Sequence, residues 1–299
     1  MRVIVLGSGQ ATGFPAWNDG GPAALRARAG DPAVPRRAGA ALAVSADGLR
    51  YSLLEAPLHL ADTLTRVASL APPAGSRAVP IDSLVLTSAE LAACAGVLGF
   101  GPGLSLRIAS SRELRAALVE GEGSTGFRSL AALWAGFPWD RAFPLDRDGR
   151  LEARLFPLPG PVPDFLRENA PRAGRGRCGI RITDLDTGLR LVWAPRLARL
   201  DSATLAELRA ADLRFVDGTF YDDAEARRFR PGTARAEELG HLPIDGREGS
   251  LAWLAGMRGE SIYIHLAGTN LLCDLKSEAS ERVRAAGAEI AFDGMEFER

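Results

Sequence analysis

Leu213-Arg214-Phe215-Val216-Asp217-Gly218-Thr219 reads as a short β-strand that ends on a carboxylate and turns at once. Apolar residues carry the strand, and the Asp-Gly pair stops it. A carboxylate at the C-terminal edge of a strand is well placed to hold a metal ion or accept a substrate proton; taken alone, it reads as a turn aspartate capping its own loop. A helical pattern precedes it over Ser202 to Ala211, with Asp201-Ser202 as N-cap, and another follows over Gly249 to Met257. The next strand, Ser261 to His265, ends on a histidine and leads into Gly268-Thr269-Asn270, a helix over Ser277 to Ala286 and a strand over Glu289 to Phe292.

Upstream the rhythm differs. Apolar runs over Arg2 to Leu6, Ala40 to Val44, Tyr51 to Leu54, Ser83 to Thr87, Ser105 to Ala109, Leu151 to Leu158, Gly179 to Thr183 and Leu189 to Ala194 read as strands. The early ones are paired at hairpin spacing, with Asp47-Gly48 as a turn. Helical patterns fall over Leu58 to Leu70, Glu90 to Leu98 and Ser111 to Glu120, the last capped by Ser111. Asp19 to Arg37 and Pro157 to Gly176 read as long surface loops, and the aromatics Trp134, Phe137 and Trp139 as core packing. Strand hairpins followed by mixed strands and helices suit an α/β (α+β) αββα sandwich, two mixed sheets with helices outside. With no composition break, the chain reads as one domain over 1–299.

Gly7-Ser8-Gly9-Gln10-Ala11-Thr12-Gly13 follows the first strand and invites a dinucleotide reading. That reading needs a helix next, and Phe14-Pro15-Ala16-Trp17 breaks one; no Walker lysine is present either. The segment reads as a tight turn between strands. The bulk numbers exclude more. With 299 residues, 46% hydrophobic, a large core is available, and a net charge of −1 provides no field to draw nucleic acid or an anionic membrane. Cys94, Cys178 and Cys273 are odd in number and widely spaced, which fits a reduced cytosol rather than a disulfide framework. The apolar N-terminal run is too short for a signal peptide and no run reaches a membrane span, so a cytoplasmic protein is expected.

Read in order, several separated segments resemble the pyrroloquinoline quinone (PQQ) biosynthesis protein B family. They are Leu6-Gly7-Ser8 through Phe14-Pro15-Ala16-Trp17-Asn18, Leu86-Thr87 with the helix to Gly96-Val97-Leu98, Val216-Asp217-Gly218-Thr219, Gly240-His241-Leu242, Ile264-His265 with Thr269-Asn270, and Asp293-Gly294-Met295-Glu296. The resemblance implies a metallo-β-lactamase fold. It implies a role in making that quinone cofactor or a related product of a modified peptide. The work suggested is metal-dependent oxidation, hydroxylation of a tyrosine-derived ring, or carriage of the cofactor or a precursor towards export.

The departures are as informative as the matches. Where the superfamily places a His/Asp-rich signature, this chain has Ser88, Glu90, Ala92 and Ala93, and where a further histidine ligand is expected it has Arg177. Alanine offers no lone pair, and a guanidinium repels a cation. The family's cysteine cluster after the Phe-Pro-x-Trp-Asn stretch reads Asp19-Gly20-Gly21-Pro22-Ala23-Ala24 and cannot hold zinc through thiolates. A two-metal site is therefore not expected. What the resemblance leaves is one iron or zinc ion held by Glu90, Asp217 and His265, a facial-triad-like set. Cys94 and Cys178 lie close to Glu90 and Arg177 in sequence and read as small buried thiols rather than ligands. His241, supported by His265 and Asp217, is the expected general acid/base, with Arg177, Thr219, Asn270, Phe14 and Trp17 as substrate contacts.

Two functions remain open on these grounds. One is an oxidoreductase with a reduced metal centre, acting on a small-molecule or peptide-derived intermediate. The other is a non-catalytic pseudoenzyme that holds such an intermediate, Arg177 binding its anionic group, or that pairs with an active biosynthetic partner or a second copy. A hydrolase is disfavoured, because no metal pair would activate water.

Overall fold

The computed structural model describes residues 1–100, 106–120, 125–139, 141–161 and 176–299. The chain's apolar residues alternate along its strands, and that alternation builds two sheets with three apolar layers. Val3 and Val5 point to one side of the first strand and Ile4 and Leu6 to the other. The inward sets of both sheets, among them Leu42, Leu54, Val85, Ile180, Trp193, Phe215 and Ile262, interdigitate as the central core. The outward sets are covered by helices. Ile4, Leu53, Leu84 and Ile108 pack with Leu60 and Leu114 on one flank, and Val192, Val216 and Tyr263 with Leu208, Leu254 and Val283 on the other. Strands that are apolar on both faces demand cover on both, and the result is the expected αββα sandwich.

In chain order the first sheet contains β1 (Arg2–Gly7), β2 (Ala41–Ser45), β3 (Tyr51–Leu54), β4 (Ile81–Val85), β5 (Arg107–Ser111) and β6 (Trp134–Phe137). The second contains β7 (Phe143–Pro144), β8 (Leu151–Pro157), β9 (Cys178–Asp184), β10 (Arg190–Ala194), β11 (Leu213–Asp217), β12 (Glu260–Ile264) and β13 (Ala288–Ile290). The chain then returns to the first sheet, where β14 (Glu296–Glu298) pairs with β1. The orders are β14-β1-β2-β3-β4-β5-β6 and β13-β12-β11-β10-β9-β8-β7. Each sheet is antiparallel in one part and parallel in the other: β3 through β6 run parallel in the first, β10 through β13 in the second. Parallel strands send all their C-terminal ends to one edge, which is where α/β sheets hold ligands.

The differences from the sequence reading have local causes. A helix over Pro22–Arg28 lies inside the stretch read as a surface loop, and Pro22 sits at its first turn, where a missing N–H does no harm. β7 and β14 are two and three residues long, too short for a detectable alternation. β6 was read only as an aromatic cluster; Trp134 is buried and donates from Nε1 to Ser110 Oγ at 2.8 Å, and Phe137 stacks on Phe143 with centroids 3.8 Å apart. The helices expected over Leu58 to Leu70 and Glu90 to Leu98 shorten to Leu60–Leu64 and Leu91–Cys94, each followed by a 3₁₀ turn. Asp201 and Ser111 do cap their helices, accepting from Thr204 N at 2.8 Å and Leu114 N at 3.1 Å. After Gly7 no helix begins before Pro22; the Gly13 amide closes a turn onto Gln10 O at 2.7 Å. From 162 to 175, the loop expected over Pro157 to Gly176 lies outside the described residues. No helix among the described residues is long and apolar enough to cross a membrane.

Candidate functional site

Asp217 ends β11, and His265 follows β12, its parallel neighbour, so two adjacent strands bring a carboxylate and an imidazole to one edge. His241 arrives from the loop after the 3₁₀ turn Ala236–Leu239. All three are buried, and their ligating atoms lie within 4.8 Å of one another. Among the described residues this is the one cluster of three or more His, Cys, Asp or Glu donors. His265 has φ 68°, a left-handed conformation that costs a histidine energy and is held only by its surroundings.

A closed hydrogen-bond network fixes the triad. Asp217 Oδ1 accepts from Thr219 N at 3.0 Å and from Thr219 Oγ1 at 2.7 Å, while Oδ2 accepts from Leu197 N at 2.8 Å. His241 Nδ1 stands 2.8 Å from Asp217 Oδ2 and 2.9 Å from Thr219 Oγ1. His265 Nδ1 is 2.9 Å from that same hydroxyl. Because the Thr219 hydroxyl proton goes to Asp217, its lone pairs face the imidazoles, and both rings carry their proton on Nδ1. The Nε2 of a neutral His265 is then a bare lone pair. His265 Nε2 is buried with no hydrogen-bond partner. Burial first, then the charges of Arg196, His241 and Arg177, push His265 well below its ordinary pKa, so the ring is neutral. The imidazoles stack with centroids 5.5 Å apart at 20°. Two imidazoles and a carboxylate are the donor set of a mononuclear zinc or ferrous site, and an unpartnered buried nitrogen fits such a ligand.

Beside the triad lies a chain of alternating charges. Arg177 Nη1 donates to Gly240 O at 2.6 Å, the carbonyl that precedes His241, and Nη2 reaches Glu90 Oε1 at 3.3 Å. The other oxygen of Glu90 accepts from Arg196 Nε at 3.1 Å, and Arg196 Nη1 lies 3.7 Å from Glu55 Oε1. Gly240, at φ 85°, is required here: a Cβ would stand 2.6 Å from Arg177 Nη1. Burial raises the Glu90 pKa, but Arg196 and Arg177 outweigh it and hold the group below its ordinary value. Glu55 is fully buried at φ 69°, accepts from the Thr87 hydroxyl and leaves Oε2 unpartnered. Burial pushes it up to about 7 against the opposing pull of Arg196 and Thr87.

The structure thus gathers Asp217, His265 and His241 into one cluster with Thr219 at its centre, and sets Glu90 apart in the arginine chain with Arg177. Asn270 donates to Gly218 O at 2.7 Å and Thr219 O at 3.1 Å, so it clamps the loop that carries Thr219. Phe14 is buried in the core of the second sheet's outer face, and Trp17 is 93% exposed. Cys94 and Cys178 are free and buried; burial pushes the Cys94 thiol up to about 12, so both behave as space-filling groups. The positions of the missing ligands do converge, since Ser88 bridges to Arg177 and Cys178 N donates to Thr87 O at 2.8 Å. Glu55 and Arg196 escaped the sequence reading. Glu55 carries the signal that marked Asp217, an acid directly after an apolar strand; Arg196 carries none.

Paired sheets, helical flanks and a donor cluster at the strand ends define a protein of the metallo-β-lactamase class, and residues 58–266 match the beta-lactamase superfamily domain. The chain is 33% identical to coenzyme PQQ synthesis protein B of Xanthomonas oryzae pv. oryzae, and the alignment covers 99% of both. To the protein of that name from Methylobacterium nodulans it is 32% identical over 99% of both. It superposes on the crystal structure of zinc-bound PqqB from Methylobacterium extorquens with a TM-score of 0.90 and 27% identity, covering 100% of each chain. The chain belongs to the coenzyme PQQ synthesis protein B family.

Proposed function

We propose that this chain, working in the cytoplasm as one domain over 1–299, is an oxidoreductase in the assembly of the quinone cofactor its family makes, with a single cation site at Asp217, His241 and His265. The observation that carries the reading is the convergence of three buried donors on Thr219, with His265 Nε2 left unpartnered. That the relative from Methylobacterium extorquens is zinc-bound supports it. When bound, a zinc or ferrous ion would supply Lewis acidity or a redox centre there. The chain's own residues do the rest. Asp217 fixes the His241 imidazole through Nδ1 and leaves its Nε2 to the cation. Arg177 and Arg196 supply positive charge for an acidic small-molecule or peptide-derived intermediate. Hydroxylation of a tyrosine-derived ring is the reaction this arrangement suits best.

The experiment is elemental analysis of the purified protein. One ion per chain, lost in both His265→Ala and His241→Ala, is the expected result; two ions per chain would overturn the single-site reading.

The chain Arg177–Glu90–Arg196–Glu55 favours a second reading, a pseudoenzyme that holds or carries an anionic intermediate. A metal-free protein that binds a quinone tricarboxylate in calorimetry, and loses that binding in Arg177→Ala, decides for it.

A further inference from the structure

A cavity of about 230 Å³ is lined by Leu200, Leu242, Pro243 and Trp253 among others. Its walls are chain neighbours of the site: Leu242 follows His241, and Ala198 follows Leu197, whose amide holds Asp217. A narrow apolar crevice shares Leu200 and Leu242 with it and reaches Asp217. Trp253 is 48% exposed, so a large ring is open to a ligand.

Charge at the rim is unevenly satisfied. Glu248 and Glu237 are both taken by Arg235, and Asp223 accepts from the Ala236 amide at 2.7 Å. Arg199 and Arg247 line the same cavity and have no ion-pair or hydrogen-bond partner for their guanidinium groups among the described residues. An apolar floor, an accessible indole and two uncommitted guanidiniums complement a planar ring that bears an anion, since Arg pairs with carboxylates and stacks on aromatic faces.

We propose that this cavity is a second binding site, for an aromatic carboxylate, distinct from the Asp217–His241–His265 cluster. It stands whether or not that cluster holds a cation. Calorimetric titration of the purified chain with 2-naphthoate, and with 2-naphthamide as the uncharged isostere, tests it. One naphthoate site is expected, with the amide about tenfold weaker. Arg199→Glu with Arg247→Glu, and separately Trp253→Ala, each weaken naphthoate about tenfold or more, whereas His265→Ala leaves the affinity unchanged. All three altered side chains are exposed, and a thermal melt of each variant verifies the fold. No naphthoate binding, equal binding of the amide, or binding that survives both cavity variants and disappears in His265→Ala overturns the proposal.

Discussion

Replacing Glu55 by glutamine should make the protein more stable above neutral pH and barely alter it at pH 5. Glu55 has no exposed surface, its Oε2 has no partner, and Arg196 stands 3.7 Å away, too far for a hydrogen bond. Burial is the largest influence and lifts the carboxyl from an ordinary 4.5 to about 7. Between those values the folded chain keeps a proton that the unfolded chain has released. Each pH unit in that window removes about 1.4 kcal/mol of stability. The contribution is fully present below pH 4.5, declines as pH rises and is gone above about 7, a total of about 3 kcal/mol across the window. Glutamine cannot ionise and keeps an oxygen for Thr87, so the variant escapes the decline. Urea unfolding followed by circular dichroism at pH 5, 6, 7 and 8 measures the difference between variant and parent, in which every other titrating group cancels. A difference that stays constant from pH 5 to pH 8 would refute the reasoning.

Glu225 obeys the same sign over a window reaching higher, because burial pushes it up to about 8; Glu225→Gln should gain on the parent until about pH 8, and the same unfolding series reads it. Glu90→Ala leaves Arg177 and Arg196 facing each other without their shared carboxylate, and should cost about 1–3 kcal/mol in urea unfolding, with Glu90→Gln recovering part. Gly7→Ala places a Cβ 2.1 Å from the Gly39 carbonyl oxygen, an overlap backbone cannot relieve; a loss of about 3 kcal/mol or outright misfolding is expected, and an unchanged melting temperature would contradict it.

The fold was legible because both sheets are built from short, nearly continuous apolar runs and because turns such as Asp47-Gly48 punctuate them. Asp217 and His265 were legible as polar groups at the ends of apolar strands. His241 was grouped with them as an acid/base; its direct contact with Asp217 was not legible, since it depends on a loop folding back over 24 residues to set Nδ1 against that carboxylate. Glu90 is the converse case: its sequence position suggests a ligand, and only the structure shows two guanidiniums from distant segments facing its carboxylate. Leu53-Leu54-Glu55 carried a usable signal. Ala194-Pro195-Arg196 did not, because a surface loop with an arginine looks the same in one dimension.

The guanidiniums of Arg177 and Arg196 belong to the polypeptide and are therefore always on hand. A chelator would strip an ion from the proposed site at Asp217, His241 and His265 but leave these two cations as they were. Under the proposed function, starvation for iron or zinc would alter the chemistry available to the protein while leaving both guanidiniums in place.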